Sequence, residues 1–205
     1  MQARPAPISA DDYLRMEERN PRKSEYVNGE IYGMSGANRR HNVICTNMLR
    51  HAANASVGRP GCQAFGPDMK LRIAGANCFY YPDLSVTCDP TDNHEAYLVR
   101  PCFIAEVLSP STARIDRREK RGHYLTLRSL RDYAMIDQNR MRIELCRREG
   151  GGWREYLLDQ PEDVLESSCL DLRLTLAQIY DGVEPPGYFV KEATAAYEAF
   201  EPSYY

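Results

Sequence analysis

The chain has no uncharged apolar run near the roughly 18 residues that cross a bilayer as a helix, which excludes a helical membrane span. Residues 1–12 carry no apolar core behind a basic start, so no signal peptide is expected. There is no internal repeat, no low-complexity stretch and no linker that marks a domain boundary, which excludes repeat and fibrous architectures. None of the seven cysteines (45, 62, 78, 88, 102, 146 and 169) belongs to a CxxC pair, which excludes the compact zinc or redox motif. Their odd number predicts reduced, mostly buried thiols and a cytoplasmic setting. What is present is ordinary globular composition. The 205 residues are 43% hydrophobic and 27% charged, enough for one domain over 1–205 with 181–205 as a C-terminal extension.

A net charge of −3 selects no partner, but its distribution is uneven. Residues 111–150 carry 11 basic and 6 acidic side chains, whereas 151–205 carry 3 and 11. A basic central segment suits a nucleic-acid-facing surface, and solvated helix and strand faces are the plainer alternative.

Local patterns place the elements. Ser9 stands three residues before Asp12 and opens a helix over about 10–19. Asn28-Gly29 between two short apolar-alternating runs is a strong hairpin signal. A second helix is predicted over 38–56. Cys78 to Val86 reads as one strand with a polar break at Pro82-Asp83, where proline lacks a ladder donor. Cys102 to Leu108 is an apolar strand, followed by a helix over 113–128. Further strands are predicted near 133–136, 141–146 and 153–158, with short helices over 175–180 and 191–200. Helices and strands in this order predict one α/β domain with a mixed central β-sheet flanked by helices and an N-terminal β-hairpin.

Three features carry chemistry. Glu106 is the one charge on the apolar 102–108 strand, where it shares a face with Ile104 and Leu108. Burying a carboxylate there is costly without compensation, so it is either a metal ligand or acid/base group, or a strand-end residue that reaches solvent or pairs with one arginine. Asp83 lies 23 residues earlier. If its strand neighbours that of Glu106, the two acids can share Mg²⁺, an ion satisfied by few protein oxygens. A lone Pro-Asp is otherwise a turn. Third, residues 116–121 are six consecutive charges in a predicted helix, with Asp116, Lys120 and Tyr124 along one side. A surface Asp-to-Lys pair is the plain reading. Ser109 to Thr112 precede this helix and offer hydroxyls and amides to an anion.

Together these residues resemble a family. Glu25 to Glu30, His41, Pro82-Asp83, the run Glu106-Val107-Leu108-Ser109-Pro110-Ser111-Thr112, Asp116, Glu119-Lys120, Tyr124, and Asp132 to Asp137 are similar to the bacterial restriction-endonuclease-like family called Uma-two, a branch of the PD-(D/E)xK nucleases. The resemblance covers about Ser9 to Tyr180. It implies a restriction-endonuclease-like fold, DNA as partner, Mg²⁺ as cofactor with Mn²⁺ able to substitute, and a homodimer. It implies Asp83, Glu106, Lys120 and Glu25 as catalytic residues, with the Val107 carbonyl completing the metal site. His41, Ser109, Asp116 and Tyr124 would support them, and Arg114, Arg117 and Arg121 would contact backbone phosphates. One position departs from the superfamily: its lysine is expected two residues after the second carboxylate, where this chain has Leu108. The resemblance implies that Lys120 reaches that point from the following helix. The rival readings are an inactive nuclease fold serving as a DNA-binding or assembly module, and a hydrolase of a small phosphoester.

Overall fold

The computed structural model of the chain describes residues 7–34, 36–109 and 113–184. Helix α1 (Ala10–Glu17) starts where the Ser9 hydroxyl accepts the Asp12 amide. Strands β1 (Ser24–Val27) and β2 (Glu30–Gly33) form the predicted hairpin. Its turn residues Asn28 and Gly29 both have positive φ, at 49° and 93°, the backbone that a two-residue turn demands. A side chain at Gly29 would also strike Pro7, 2.5 Å from an added Cβ. Helix α2 (Arg39–Ser56) follows, capped by Asn38.

The strands then distribute over two main sheets. β3 (Gln63–Phe65), β6 (Leu84–Thr87), β8 (Phe103–Leu108), β9 (Asp132–Asp137), β10 (Ile143–Glu149) and β11 (Gly152–Leu158) form a mixed six-stranded sheet in the order β11-β10-β9-β8-β6-β3. β8 and β9 are parallel, joined through helix α3 (113–124), and the other pairs are antiparallel. β4 (Lys70–Ile73), β5 (Cys78–Tyr80) and β7 (Tyr97–Leu98) join the hairpin in a second sheet, ordered β2-β1-β5-β4-β7. β12 (Val164–Ser167) pairs with β13 (Leu172–Thr175), and α4 (Leu176–Ile179) carries a full capping box from Thr175 and Gln178.

The six-stranded sheet is covered on both faces. Phe103, Ala105 and Val107 pack with Ile44, Met48 and Ala52 of α2 and with the β12–β13 hairpin. Ile104 and Leu108 face the second sheet, against Leu71, Ile73 and Tyr80, with Tyr124 of α3. Alternation therefore aims Glu106 into the layer between the sheets and α3. α2 is fixed over its face by Asn47, whose amide donates to the carbonyls of Ile179 and Asp181.

Several expectations change. The stretch read as one broken strand is two, β5 and β6, in different sheets, because Pro82 ends one ladder and the chain crosses over at Tyr81-Pro82-Asp83. The helix after β8 stops at Tyr124, four residues short. The β12–β13 hairpin was not foreseen. The thiols are not all reduced: Cys62 pairs with Cys88 and Cys102 with Cys169, leaving Cys45, Cys78 and Cys146 free. Sequence spacing misled there, since the partners are 26 and 67 residues apart and meet only through the sheet. The helix expected over 191–200 and the Pro110-Ser111-Thr112 turn lie outside the described residues.

Candidate active site

The β6–β8 ladder runs through Leu84↔Ala105, Ser85↔Ile104 and Val86↔Phe103. One step beyond its first pair, Asp83 stands opposite Glu106. The crossover makes each acid grip the backbone of the other's strand. Asp83 Oδ2 accepts the Val107 amide at 2.7 Å, and the Asp83 amide donates to Glu106 Oε2 at 3.4 Å. The crossover itself is pinned by the Tyr81 amide, which donates to Glu25 Oε1, and by the Tyr81 hydroxyl, which donates to Glu17.

Helix α3 brings the amine. It consists of an α-helical turn (Ala113–Ile115), a π-helical turn (Asp116–Lys120) and a second α-helical turn (Arg121–Tyr124). Single π-turns recur at functional sites, because the extra residue re-aims the side chains around it. Here Asp116, Lys120 and Tyr124 are all buried against the sheet. Lys120 Nζ lies 2.8 Å from Glu25, 3.3 Å from Glu106 and 3.5 Å from Asp116, and 5.4 Å from the Tyr80 ring centroid. The Tyr124 hydroxyl donates to Glu106 Oε1 at 2.7 Å. Of the other charges, Arg117 pairs with Glu144 of β10, Arg121 pairs with Glu155 of β11, and Glu119 accepts the Tyr80 hydroxyl, while Arg114, ahead of the run, is exposed.

α2 supplies the rim. His41, in its first turn, places Nε2 3.2 Å from Asp83 Oδ2 and Nδ1 3.4 Å from Cys45 Sγ. The side chains of His41, Asp83 and Glu25 keep 14–15% exposure, against 4% for Glu106 and 8% for Lys120. The cluster therefore opens to solvent on the His41 side and is closed at Glu106. Ser109 lies just past β8 and accepts the Ala113 amide through its carbonyl, at the entry to α3.

The electrostatics follow from that burial. Desolvation raises the Glu106 carboxyl well above its ordinary value, as do Asp83, Asp116 and Glu25; Lys120 acts in the opposite direction. Lys120 is also desolvated, which works against its charge, but Glu106, Glu25 and Asp116 outweigh burial and raise its affinity for the proton. Burial raises the Cys45 thiol, with the charges of Asp83 and Glu106 adding to it. Three carboxylates, those of Glu25, Glu106 and Asp116, thus converge on one ammonium, with Asp83 beside Glu106, an oxygen-rich donor set with surplus negative charge. That chemistry fits a hard divalent cation. His41, Cys45 and Asp83, whose donor atoms lie within 4.8 Å of one another, make a more mixed set on the rim.

The structure thus brings together Asp83, Glu106, Lys120, Glu25, Asp116, Tyr124 and His41, all singled out from the sequence. Val107 enters through its amide. Arg117 and Arg121 lie on the outer flank of α3, held in ion pairs. Sequence reasoning missed Cys45, whose only signal is its i+4 spacing from His41, and Tyr81, whose hydrogen bonds fix the crossover.

Residues 10–177 match the family model Uma2, described as "putative restriction endonuclease". Two proteins of Synechocystis sp. (strain ATCC 27184 / PCC 6803 / Kazusa) are similar, both described as uncharacterized. One, slr1290, is 34% identical over 177 residues, covering 86% of this chain and 93% of that protein. The other, sll1609, is 36% identical over 156 residues, 75% of this chain and 86% of that protein. A crystal structure described as a putative nuclease belonging to DUF820 from Anabaena variabilis ATCC 29413 superposes with a TM-score of 0.70. That match covers 87% of this chain and all of the other at 18% identity, and it shows a shared fold.

Proposed function

We propose that this chain, which belongs to the Uma2 family described as "putative restriction endonuclease", is a Mg²⁺-dependent endonuclease that hydrolyses DNA phosphodiester bonds. The observation that supports this most is the placement of Asp83 across from Glu106 with the Lys120 amine 3.3 Å from Glu106. Asp83 and Glu106 would hold the ion, with the Val107 carbonyl as a third oxygen and Mn²⁺ as an acceptable substitute. A bound Mg²⁺ supplies a water of lowered pKa and offsets charge on the scissile phosphate.

The protein's own groups do the rest. Lys120 holds its proton tightly, so its role is electrostatic: it orients the attacking water and stabilises charge developing on the phosphate. Glu25 and Asp116 keep the ammonium in place, and Tyr124 holds the Glu106 carboxylate in one rotamer. His41 sits at the open side, where a phosphate meets Asp83. Arg114, Arg117 and Arg121 would bind backbone phosphates, which adds affinity without sequence reading. The ion pairs of Arg117 and Arg121 are partly exposed and worth little, so phosphate can take the place of glutamate. Two strands to cut suit a homodimer. No helix among the described residues is long and apolar enough to cross a membrane, and DNA as substrate suits the cytoplasm.

Plasmid and oligonucleotide cleavage with Mg²⁺ or Mn²⁺ against EDTA tests the proposal. Cutting that needs the metal and falls at least a hundredfold in Asp83→Ala is expected, the usual scale for losing a charge-stabilising group. A folded protein that binds DNA but never cuts it with either metal would instead make it a non-catalytic module.

A further inference from the structure

The opposite end of the same strand pair gathers sulfur. Cys62 precedes β3, Cys88 follows β6, Cys102 precedes β8, and Cys169 lies in the β12–β13 turn. The Sγ atoms of Cys88, Cys102 and Cys169 all lie within 4.8 Å of one another, and Cys62 is bonded to Cys88. Three sulfurs, one from the first disulfide and both from the second, therefore sit together, with Cys62 joined to them through its bond to Cys88. The β3–β6 register, which pairs Gln63 with Thr87, carries on to bring Cys62 opposite Cys88. The Cys102 amide is bonded to the Val86 carbonyl at 2.7 Å. The fully buried Ser167 hydroxyl lies 3.4 Å from Cys169 Sγ.

We propose that, when reduced, these four cysteines bind one Zn²⁺ as a tetrathiolate site. Zinc takes four thiolates at about 2.3 Å, a tetrahedron whose edges are about 3.8 Å, so Cys88, Cys102 and Cys169 need only small shifts, and Cys62, released from Cys88, is the fourth ligand to swing in. The donors are all soft, which selects zinc over the hard cation suited to the acidic cluster. Ser167 is the outer hydrogen-bond donor that thiolate ligands commonly have, and a thiolate accepts from it far better than a disulfide does. The exchange balances. A dithiol or phosphine reductant delivers two electrons to each disulfide, two protons follow, and four thiols result. Zn²⁺ then displaces their four protons. No CxxC appears because each ligand comes from a different segment, which is why the sequence carries no signal. The proposal does not depend on the nuclease reading.

The full chain, purified in the presence of a phosphine reductant and zinc and then dialysed, is assayed for metal by mass spectrometry. About one zinc per chain is expected, falling at least tenfold after oxidation with a thiol oxidant. The same tenfold loss is expected in Cys102→Ser and Cys169→Ser, but not in Cys146→Ser or Asp83→Ala. Because a cluster variant can fail to fold, Co²⁺ is also titrated into the reduced, metal-free wild-type chain. Intense visible bands and sulfur-to-metal charge transfer mark a tetrahedral thiolate site. A reduced chain that retains no zinc, or Co²⁺ spectra typical of oxygen and nitrogen ligands, would overturn the proposal. So would zinc that persists in Cys102→Ser or is lost in Asp83→Ala.

Discussion

The two ends of the β6–β8 ladder solve opposite problems. At one end, Asp83 and Glu106 hold carboxylates together inside the protein, an arrangement that costs stability and is tolerated because Lys120, Tyr124 and backbone amides compensate it. At the other, Cys88 and Cys102 join Cys62 and Cys169 in cross-links that tie three strands and a hairpin together. On the proposed reading the acid end stores charge for chemistry, whereas the sulfur end holds the frame. Mutations should separate the two: activity falls first at the acid end, stability at the sulfur end.

The largest effect is expected from Lys120→Gln. Without the ammonium, Glu25, Glu106 and Asp116 face one another uncompensated. Metal-dependent cleavage should fall by about 10²–10³, the scale for one charge-stabilising group. Stripping a buried ion cluster of its partner costs about 3 kcal/mol as well. Cleavage kinetics and denaturant titration read the two losses. A variant that cuts at the wild-type rate would remove Lys120 from the mechanism and break the contrast at its acid end.

Next is Cys102→Ala together with Cys169→Ala, compared with the oxidised parent. This pair closes the longer loop, 67 residues. By loop-closure entropy its removal costs about 4.4 kcal/mol. Cleavage at a temperature well below the unfolding transition should stay within about twofold, because the acid end is not touched. Cleavage that falls with stability would mean that the two ends are coupled.

The same comparison explains what could be read from the sequence. The acid end was legible because its parts are local: Pro-Asp marks a strand break, a lone Glu interrupts an apolar strand, and Asp116, Lys120 and Tyr124 share a helix face. Asn28-Gly29 and the Ser9 cap were legible for the same reason. What failed needed long-range information. Nothing near Pro82 says that β5 and β6 part into different sheets. Nothing in four cysteines scattered from 62 to 169 says that they meet. The π-turn was equally hidden, since residues 116–121 look the same in an α-helix, and only packing against Glu106 reveals which charges turn inward. Leu108, where the superfamily places its lysine, is buried in the core. The amine beside Glu106 comes instead from the helix that follows the strand.

The smallest effect, and the sharpest test of what the acid end costs, is the pH dependence of Glu106→Gln. An unfolded glutamate ionises near pH 4.3, whereas burial and neighbouring acids raise Glu106 well above that in the folded chain. The folded state therefore binds more protons than the unfolded state between those two values. Stability from this group is complete below the unfolded value and is lost as pH rises through the raised one. Glutamine has no such proton and keeps Lys120 beside Glu25 and Asp116. Without metal, the variant should match the parent in mildly acid solution and gain on it as pH rises, by roughly 1 kcal/mol, a modest fraction of what buried ions cost. Added Mg²⁺ should reverse the order. A ligand at ten times its dissociation constant stabilises by about 1.4 kcal/mol, and only the parent keeps both carboxylates. Thermal unfolding across pH, with and without Mg²⁺, measures all four corners. Parallel curves for the two proteins would show that Glu106 is not the strained group, and the acid end would then resemble the sulfur end after all.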